Sequence, residues 1–272
     1  MCTVSLIENI HQSIMYGLPL HRTLYLTSLL PISRIVPRLR ITIGLPLDLK
    51  LNIPLELLDS VWSNILHIFY CLDYEVSKDF RPKPRWTVID VGAFVGLYTL
   101  RAAKLMNGMG LVISLEPSAK HYEILEYNLV LNGLDNIVSL RLGLAGSRGI
   151  RKLYITENSI NSTLVRSYAE YMGCTGRIET IRVVRLKDLI NMLRLKRIDL
   201  LKLDVEGAEL EIVESSGDIL KRGIVKRIVI EVHREVVSIR ALSEILEEFG
   251  FSTIIYSSTE IPFQEFIYGV YS

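Results

Sequence analysis

The feature that most constrains the fold is an alternation of short apolar runs and amphipathic stretches that begins near residue 86. The short, mostly apolar runs occupy residues 86–91, 111–115, 137–142, 198–203 and 225–232. Strands buried on both faces have this composition, and strands that alternate with helices form parallel sheets. The sequence therefore predicts an α/β fold in which helices cover both faces of a mostly parallel sheet, with two terminal strands at residues 251–256 and 265–271.

Helical patterns separate most of these runs, at residues 95–106, 118–131, 208–220 and 239–249. One stretch breaks the alternation, because two predicted strands, 151–156 and 178–184, flank a polar segment, 157–177. A long segment without clear structure is often a functional loop. We predict such a loop here.

The chain has 272 residues, which at ~150 residues per domain is enough for one or two domains. Residues 1–85 hold seven of the nine prolines, which favours short elements without a long helix between Pro19 and Pro54. Within residues 56–72 apolar positions recur at helical spacing and predict one amphipathic helix that covers the rest of the chain. We therefore expect a proline-rich N-terminal extension, 1–85, and one α/β domain, 86–272.

Composition excludes several classes of protein. A chain that is 49% hydrophobic and 22% charged is globular, and a net charge of +1 gives no overall basic field, so no nucleic-acid partner is expected. Charges interrupt every apolar run well before the ~20 residues of a membrane-spanning helix, and residues 1–17 lack the pattern of a secretory signal. Cys2, Cys71 and Cys174 are far apart, which argues against a disulfide framework or a zinc site and suits a reducing cytoplasm.

The first candidate site follows the run at 86–91. Asp90 ends the predicted strand, Gly92 forms the turn, and Gly96 lies in the first helical turn. A dinucleotide fingerprint needs a second glycine where Phe94 stands, so the turn argues against NAD or FAD and permits a ligand such as S-adenosylmethionine. Glu116, 20 residues after Gly96 at the end of the next run, is placed to accept hydrogen bonds from both ribose hydroxyls. A tight turn without a ligand is the alternative.

The second candidate site is the segment K-L-D-V-E-G-A-E at 202–209. Four ionisable groups at a strand end are costly unless they are paired or used. We predict that Asp204 emerges at the carboxyl end of its strand, beside the first strand, and is functional. For Glu209 we favour a stabilising charge at a helix N-terminus.

A third candidate, Glu231-Val-His233, ends the following strand. A histidine titrates near neutrality and can act as a general base, but a histidine at a strand end is as often structural. Its position near Asp204 keeps both readings open.

Four segments together resemble the FkbM-type S-adenosylmethionine-dependent methyltransferases: VIDVGAFVGLYT (88–99), LEPSAKHYEILEYNLVLNGL (115–134), IDLLKLDVEGAELEIVES (198–215) and IVIEVH (228–233). The resemblance implies a Rossmann-like class I domain with a mostly parallel seven-stranded sheet. It also implies which residues form the site. The cofactor would be held by Asp90, Gly92, Ala93, Gly96 and Glu116, with Leu144 and Ala145 beside the adenine, and the reaction centre would be lined by Lys202, Asp204 and Glu206. Phe94 departs from the asparagine that this family usually has.

The expected activity is O-methylation of a hydroxyl on a sugar, glycan or other small natural product. We expect Asp204 to orient or deprotonate the acceptor, with His233 as the competing base. No metal is predicted; a divalent ion held by Asp204, Glu231 and His233 is the weaker alternative. An anionic acceptor is also considered, because residues 141–197 hold twelve Lys and Arg against four Asp and Glu. The oligomeric state stays open.

Three rivals remain at this point. A nucleic-acid or protein methyltransferase can use the same domain, although the N-P-P-[YF] turn typical of amino-group methylation is replaced by residues 204–207. A nicotinamide oxidoreductase is disfavoured by Phe94. A non-catalytic module that only binds S-adenosylmethionine would share most of these motifs.

Overall fold

A computed structural model describes residues 6–257 and 264–272; Cys2 lies outside them. The N-terminal segment folds into three helices and a hairpin, in the order α1 (Leu6–Met15), α2 (Leu20–Ile35), β1 (Arg40–Leu45), β2 (Leu49–Pro54) and α3 (Leu58–Ile65). β1 and β2 pair antiparallel. Trp62 of α3 is fully buried and donates a hydrogen bond to the Ser13 hydroxyl of α1 at 2.8 Å. The apolar side chains of this segment share one cluster with Val88, Val112 and the helix that follows Gly96.

The expectation of only short elements between Pro19 and Pro54 was wrong. α2 has 16 residues and contains Pro31 in its interior. A proline there removes one main-chain hydrogen bond and strains the preceding turn. The helix persists because Thr23 and Leu26 are buried against the rest of the segment, and tertiary packing of one face outweighs local propensity.

The amphipathic helix predicted at 56–72 is present in three pieces. A 3₁₀ turn at Leu55–Leu57 leads into α3, and a wider π-helical turn continues over Leu66–Cys71. Leu72 ends it in the left-handed region, with φ +59°. The residues that follow reach the candidate site, where the Tyr74 hydroxyl contacts Asp204.

The remaining elements alternate as the sequence predicts. In chain order they are β3 (Thr87–Val91), α4 (Leu97–Leu105), β4 (Leu111–Leu115), α5 (Ala119–Asn132), β5 (Ile137–Leu140), β6 (Gly143–Leu144), β7 (Gly149–Thr156), α6 (Arg166–Tyr171), β8 (Cys174–Val184), α7 (Leu186–Leu193), β9 (Leu200–Leu203), α8 (Glu209–Ser215), α9 (Gly217–Leu220), β10 (Arg227–Val232), α10 (Ile239–Glu248), β11 (Phe251–Ser257) and β12 (Glu265–Tyr271). The helix predicted at 208–220 is thus two helices, α8 and α9.

Seven strands form the central sheet in the order β11-β12-β10-β9-β3-β4-β5. The five strands from β10 to β5 are parallel, and β12 runs antiparallel to both of its neighbours. Val88 and Ile89 belong to different apolar clusters, one on each face of the sheet. The mostly parallel sheet with helices on both faces is confirmed. The strand order reverses between β3 and β9, which is where ligands bind in such folds.

The segment predicted as a functional loop has more structure than expected. β6, β8 and β7 form a second, three-stranded sheet, and α6 lies within the polar segment 157–177. β7 and β8 pair antiparallel. Most of β8 is exposed, and Ile181 and Val183 are its only buried residues. Among the described residues, every helix is too short or too polar to cross a membrane.

Candidate active site

The site lies where the chain leaves β3 and β9 at the carboxyl edge of the sheet. The Asp204 amide donates to the Val91 carbonyl at 3.2 Å, which brings the two loops together. Gly92 has φ +76°, and a Cβ there would lie 1.8 Å from the Asp204 carbonyl oxygen. Only glycine fits this position, because both the backbone conformation and the space exclude a side chain. The contact places the glycine turn directly against Asp204.

The glycine turn is fixed by its own backbone. The amides of Gly92 and Ala93 both donate to the Leu115 carbonyl at 3.0 Å. Gly96 has φ +97° and opens α4, and a Cβ there would meet Leu125 at 2.6 Å. Phe94 also has a positive φ, +51°, a conformation that asparagine adopts more readily than an aromatic residue. The turn is therefore preformed, with Phe94 under local strain.

Glu116 ends β4 and is buried, with 6% of its surface exposed. Its Oε2 accepts from the Phe94 amide at 2.8 Å, and its Oε1 accepts from the Ser118 amide at 2.9 Å. Burial raises the pKa of Glu116 to about 8, although both amide hydrogen bonds work in the opposite direction. Each carboxylate oxygen keeps a second lone pair. Glu116 therefore has the acceptor capacity that a pair of ribose hydroxyls requires.

His121 lies beside Glu116. Its Nδ1 is 3.9 Å from Glu116 Oε1, and its ring contacts the Phe94 ring edge to face at 4.7 Å between centroids. Burial lowers the pKa of His121 to about 3, so the imidazole is neutral. A neutral ring places no positive charge beside Glu116, so nothing from His121 offsets the effect of burial on the Glu116 pKa.

Leu144 ends β6 of the second sheet, and Ala145 follows it directly. Their side chains are buried in apolar clusters, and the Ala145 amide donates to the Val184 carbonyl at 3.0 Å. A Cβ at Gly143 would lie 3.6 Å from Pro117. The start of this segment therefore runs next to the Glu116 loop, and its side chains face the core.

Lys202 and Asp90 form a buried ion pair at the centre of the site. Lys202 Nζ is 3.0 Å from Asp90 Oδ1 and 3.4 Å from Asp204 Oδ2, and Thr99 donates to Asp90 Oδ2 at 2.6 Å. Burial disfavours the ammonium, but Asp90 and Asp204 outweigh it and raise the pKa of Lys202. The lysine is therefore charged, and it stabilises the carboxylate form of Asp204.

Asp204 is joined to Glu231 through a residue that the sequence analysis did not select. The Tyr74 hydroxyl is 3.0 Å from Asp204 Oδ2 and 2.5 Å from Glu231 Oε2. Burial, followed by the charge of Asp204, raises the pKa of Glu231 to about 8. The Asp204 side chain itself is 22% exposed.

His233 belongs to a second cluster. Its Nδ1 is 2.7 Å from Glu209 Oε1 and its Nε2 is 3.3 Å from Glu206 Oε2. Burial opposes its charge, but the two carboxylates outweigh burial and raise the pKa of His233 well above its usual value. One ligating atom each from Asp204, Glu206 and His233 lies within 4.8 Å of the others. The imidazole thus has a carboxylate beside each of its ring nitrogens.

Comparison with known proteins agrees with this geometry. Residues 90–253 match the model of the methyltransferase FkbM domain, which is more than half of the chain. This chain belongs to the FkbM methyltransferase family. The methyltransferase sdnD of Sordaria araneosa is 33% identical over 191 residues, which cover 60% of this chain and 73% of that protein. Methyltransferase 1 of Beauveria bassiana is 23% identical over 184 residues, covering 62% and 73% of the two chains.

A solved structure supports the fold of this family member. The crystal structure of the methyltransferase FkbM from Methylobacillus flagellatus superposes with a TM-score of 0.52 at 14% identity, over 90% of this chain and 60% of that one. The present chain thus spans less than two thirds of that protein. The class I methyltransferase fold is confirmed.

The structure of this FkbM methyltransferase brings four predicted residues to one edge of the sheet: Lys202, Asp204, Glu206 and His233. Side chains that the sequence analysis missed lie beside them. Glu209 is fully buried against His233, and is more than a charge at the start of α8. Tyr74, Asp73 and Glu75 lie before the family-matched residues. Their signal was three polar side chains directly after an apolar helix.

Proposed function

We propose that this protein transfers a methyl group from S-adenosylmethionine to a hydroxyl of a sugar, glycan or other small natural product. The observation that carries the proposal is the position of Asp204. Its carboxylate is partly exposed and is held at Oδ2 by Lys202 and Tyr74, and its main-chain carbonyl lies against Gly92 of the glycine turn. A fixed carboxylate at the ligand-binding edge is suited to orient and deprotonate an alcohol.

The residues present fit the proposed cofactor. Glu116 has spare lone pairs for the ribose hydroxyls. The turn from Gly92 to Gly96 begins with a residue that has no side chain. The segment at Leu144 and Ala145 would lie beside the adenine. When bound, S-adenosylmethionine supplies an electrophilic methyl group on a sulfonium.

The remaining roles in the reaction are assigned to residues of this chain. Asp204 accepts the proton of the acceptor hydroxyl, and Lys202 places its ammonium 3.4 Å from Asp204 Oδ2. We assign the base to Asp204 in preference to His233. The imidazole is already protonated between Glu206 and Glu209, so it has no lone pair to receive a proton. His233 and its two carboxylates hold the loop after β9 in place.

The basic stretch at 141–197 offers less free charge than its composition implies. Four of its arginines form ion pairs: Arg151 with Glu211, Arg166 with Glu170, Arg185 with Asp188 and Arg197 with Asp199. An acceptor without phosphate is therefore the simpler expectation. The acceptor panel described below therefore includes anionic compounds, the nucleotide sugars, as a separate group.

The test is a transfer assay with S-adenosylmethionine labelled on the methyl group. The acceptor panel contains free sugars, nucleotide sugars, aliphatic and phenolic alcohols, a ribo-oligonucleotide and a peptide, and products are read by mass spectrometry. We expect label on an oxygen of a small hydroxyl compound, and loss of transfer in Asp204→Asn. Label only on the oligonucleotide or the peptide would contradict the proposal, as would binding of the cofactor without transfer to any acceptor.

A further inference from the structure

Three consecutive residues, Asp73, Tyr74 and Glu75, connect the N-terminal segment to the candidate active site. They precede residues 90–253, which carry the family match. Asp73 is buried with its Oδ2 2.5 Å from His67 Nδ1, and its carbonyl accepts a hydrogen bond from the Tyr268 hydroxyl. Polar residues in an apolar segment are costly unless paired, and these are paired.

Glu75 provides the second attachment. Its two carboxylate oxygens accept from Arg101 of α4 at 2.8 and 2.9 Å, and both side chains are buried. A bidentate pair of this kind fixes orientation as well as distance. Tyr74 is therefore held on both sides, by β12 through Asp73 and by α4 through Glu75.

The Tyr74 ring is enclosed as firmly as its backbone. It is 4% exposed and makes edge contacts with Tyr98 at 5.3 Å and Phe266 at 5.5 Å. Burial, together with the charges of Asp204 and Glu231, raises the pKa of Tyr74 well above its usual value. The hydroxyl thus keeps its proton.

One hydroxyl hydrogen cannot satisfy two carboxylates. Tyr74 lies within hydrogen-bond distance of both Asp204 Oδ2 and Glu231 Oε2, but a phenol donates only one hydrogen bond. The second contact is favourable only when one of the two acids is protonated and donates to the phenol oxygen. Glu231 is the better proton carrier, since Lys202 stands next to Asp204 and stabilises its ionised form.

We propose that Tyr74 is a positioning residue of the acceptor site, which links a protonated Glu231 to an ionised Asp204 and leaves Asp204 Oδ1 to take the proton of the acceptor. The chain of donors runs from the Glu231 carboxyl to the Tyr74 oxygen, and from the Tyr74 hydroxyl to Asp204 Oδ2. The N-terminal segment thereby completes the site that the family-matched residues begin. This inference rests on the proposed function.

The reaction balances in this arrangement. The acceptor O–H bond breaks and its proton moves to Asp204 Oδ1. The acceptor oxygen forms the bond to the methyl carbon, and the electron pair of the carbon–sulfur bond stays on sulfur. Glu231 and Tyr74 keep their protons throughout. The charged and titratable groups around the pair, besides Tyr74, are Lys202, Asp90, Glu206 and His233.

The test compares Tyr74→Phe with Tyr98→Phe. Both changes remove one buried phenol hydroxyl, and the two rings are in contact. The Tyr98 hydroxyl has no hydrogen-bond partner among the described residues, which makes it a matched control. The first readout needs no acceptor. It is the pH titration of the Glu231 carboxyl carbon by ¹³C NMR, assigned by its loss in Glu231→Gln.

We expect the Glu231 midpoint to fall by about one pH unit in Tyr74→Phe, because the variant lacks the phenol oxygen that accepts from the protonated carboxyl, and one unit corresponds to about 1.4 kcal/mol. A rise would overturn the link, because it would mean that Tyr74 donates to an ionised Glu231. Tyr98→Phe should leave it in place. The second readout is transfer to the hydroxyl compound found with the labelled panel. Tyr74→Phe should lower kcat by about 10- to 100-fold and alter its pH profile, with the acceptor KM and the Kd of S-adenosylhomocysteine unchanged.

The inference is overturned when Tyr74→Phe and Tyr98→Phe behave alike in both readouts. It is also overturned when Tyr74→Phe weakens S-adenosylhomocysteine binding as much as it lowers kcat, because that is the signature of a structural role. Failure of the proposed function looks different, since wild-type protein would then neither bind S-adenosylhomocysteine nor transfer label. The carboxyl titration decides the Tyr74 link in that case.

Discussion

The two edges of the site are held in place by different interactions. The cofactor edge, defined here as Gly92–Gly96 and Glu116, uses local backbone: its amides are paired with Leu115 and Glu116, and its conformation depends on two glycines. The acceptor edge, defined as Tyr74, Lys202, Asp204, Glu231 and His233, uses buried charges from distant parts of the chain. We therefore expect the first edge to bind its ligand through the shape of its backbone, and the second through buried charges and the position of a proton.

The difference predicts which variants separate binding from chemistry. Changes at the acceptor edge should lower turnover or stability, and changes at the cofactor edge should lower affinity for S-adenosylhomocysteine. A variant that affects both equally would remove the distinction.

The largest effect is expected for Asp204→Asn. An amide has the shape of the carboxylate but cannot take the acceptor proton, and a positioned base contributes about 10²- to 10⁴-fold. Rates of methyl transfer to the acceptor from the panel measure this. Equal rates in the variant and in wild type would remove Asp204 from the mechanism.

Lys202→Met should cost about 3–5 kcal/mol of unfolding free energy, because it leaves the fully buried Asp90 carboxylate without its ion-pair partner. Urea unfolding measures the loss. Lys120→Met is the control, because Lys120 pairs with Glu56 at 2.9 Å on the surface, where both side chains are exposed, and such pairs contribute about 0–1 kcal/mol. Similar losses in the two variants would contradict the buried charge network.

Glu116 gives a smaller, pH-dependent effect on binding. Its pKa of about 8 means that it is largely protonated at pH 6, whereas two ribose hydroxyls as donors require the carboxylate. Affinity for S-adenosylhomocysteine should therefore increase between pH 6 and 8 and then level off, by up to about tenfold per pH unit below the pKa. Calorimetric titrations across this range measure it. Glu116→Gln should bind more weakly and should lack the dependence; an unchanged slope would assign it to another group.

The last prediction concerns the pH dependence of stability. Burial raises the folded-state pKa of both Glu116 and Glu231 to about 8, from an ordinary carboxyl value of 4.5. A raised carboxyl pKa contributes stability that is fully present below about 4.5 and is lost as the pH rises through about 8. Tm should therefore fall between pH 5 and pH 8.5, and the fall should be shallower in Glu231→Gln. A Tm that rises over this range would contradict both shifts.

The sequence predicted the cofactor edge better than the acceptor edge, for physical reasons. Gly92 and Glu116 follow apolar runs at short separations, and the parallel sheet brings such positions to one edge. Asp204 was found in the same way. Tyr74 was missed because its contact with Glu231 spans 157 residues, and local sequence patterns carry no information on so distant a pair. Glu209 was interpreted only as a charge at a helix start, because the sequence does not show whether such a residue is exposed or buried against His233.

The N-terminal segment shows a related limit. Proline spacing suggested short elements, yet α2 accommodates Pro31 because its buried face is stabilised by tertiary contacts. Local propensity carries no information about such contacts.

The most direct test is calorimetric titration of S-adenosylhomocysteine and of NAD into wild-type protein and Asp204→Asn at pH 8. The account predicts that S-adenosylhomocysteine binds to one site, with the same affinity within about threefold in both proteins, and that NAD does not bind. Binding of NAD without S-adenosylhomocysteine would contradict the proposed cofactor. Loss of S-adenosylhomocysteine binding in Asp204→Asn would contradict the separation of the two edges.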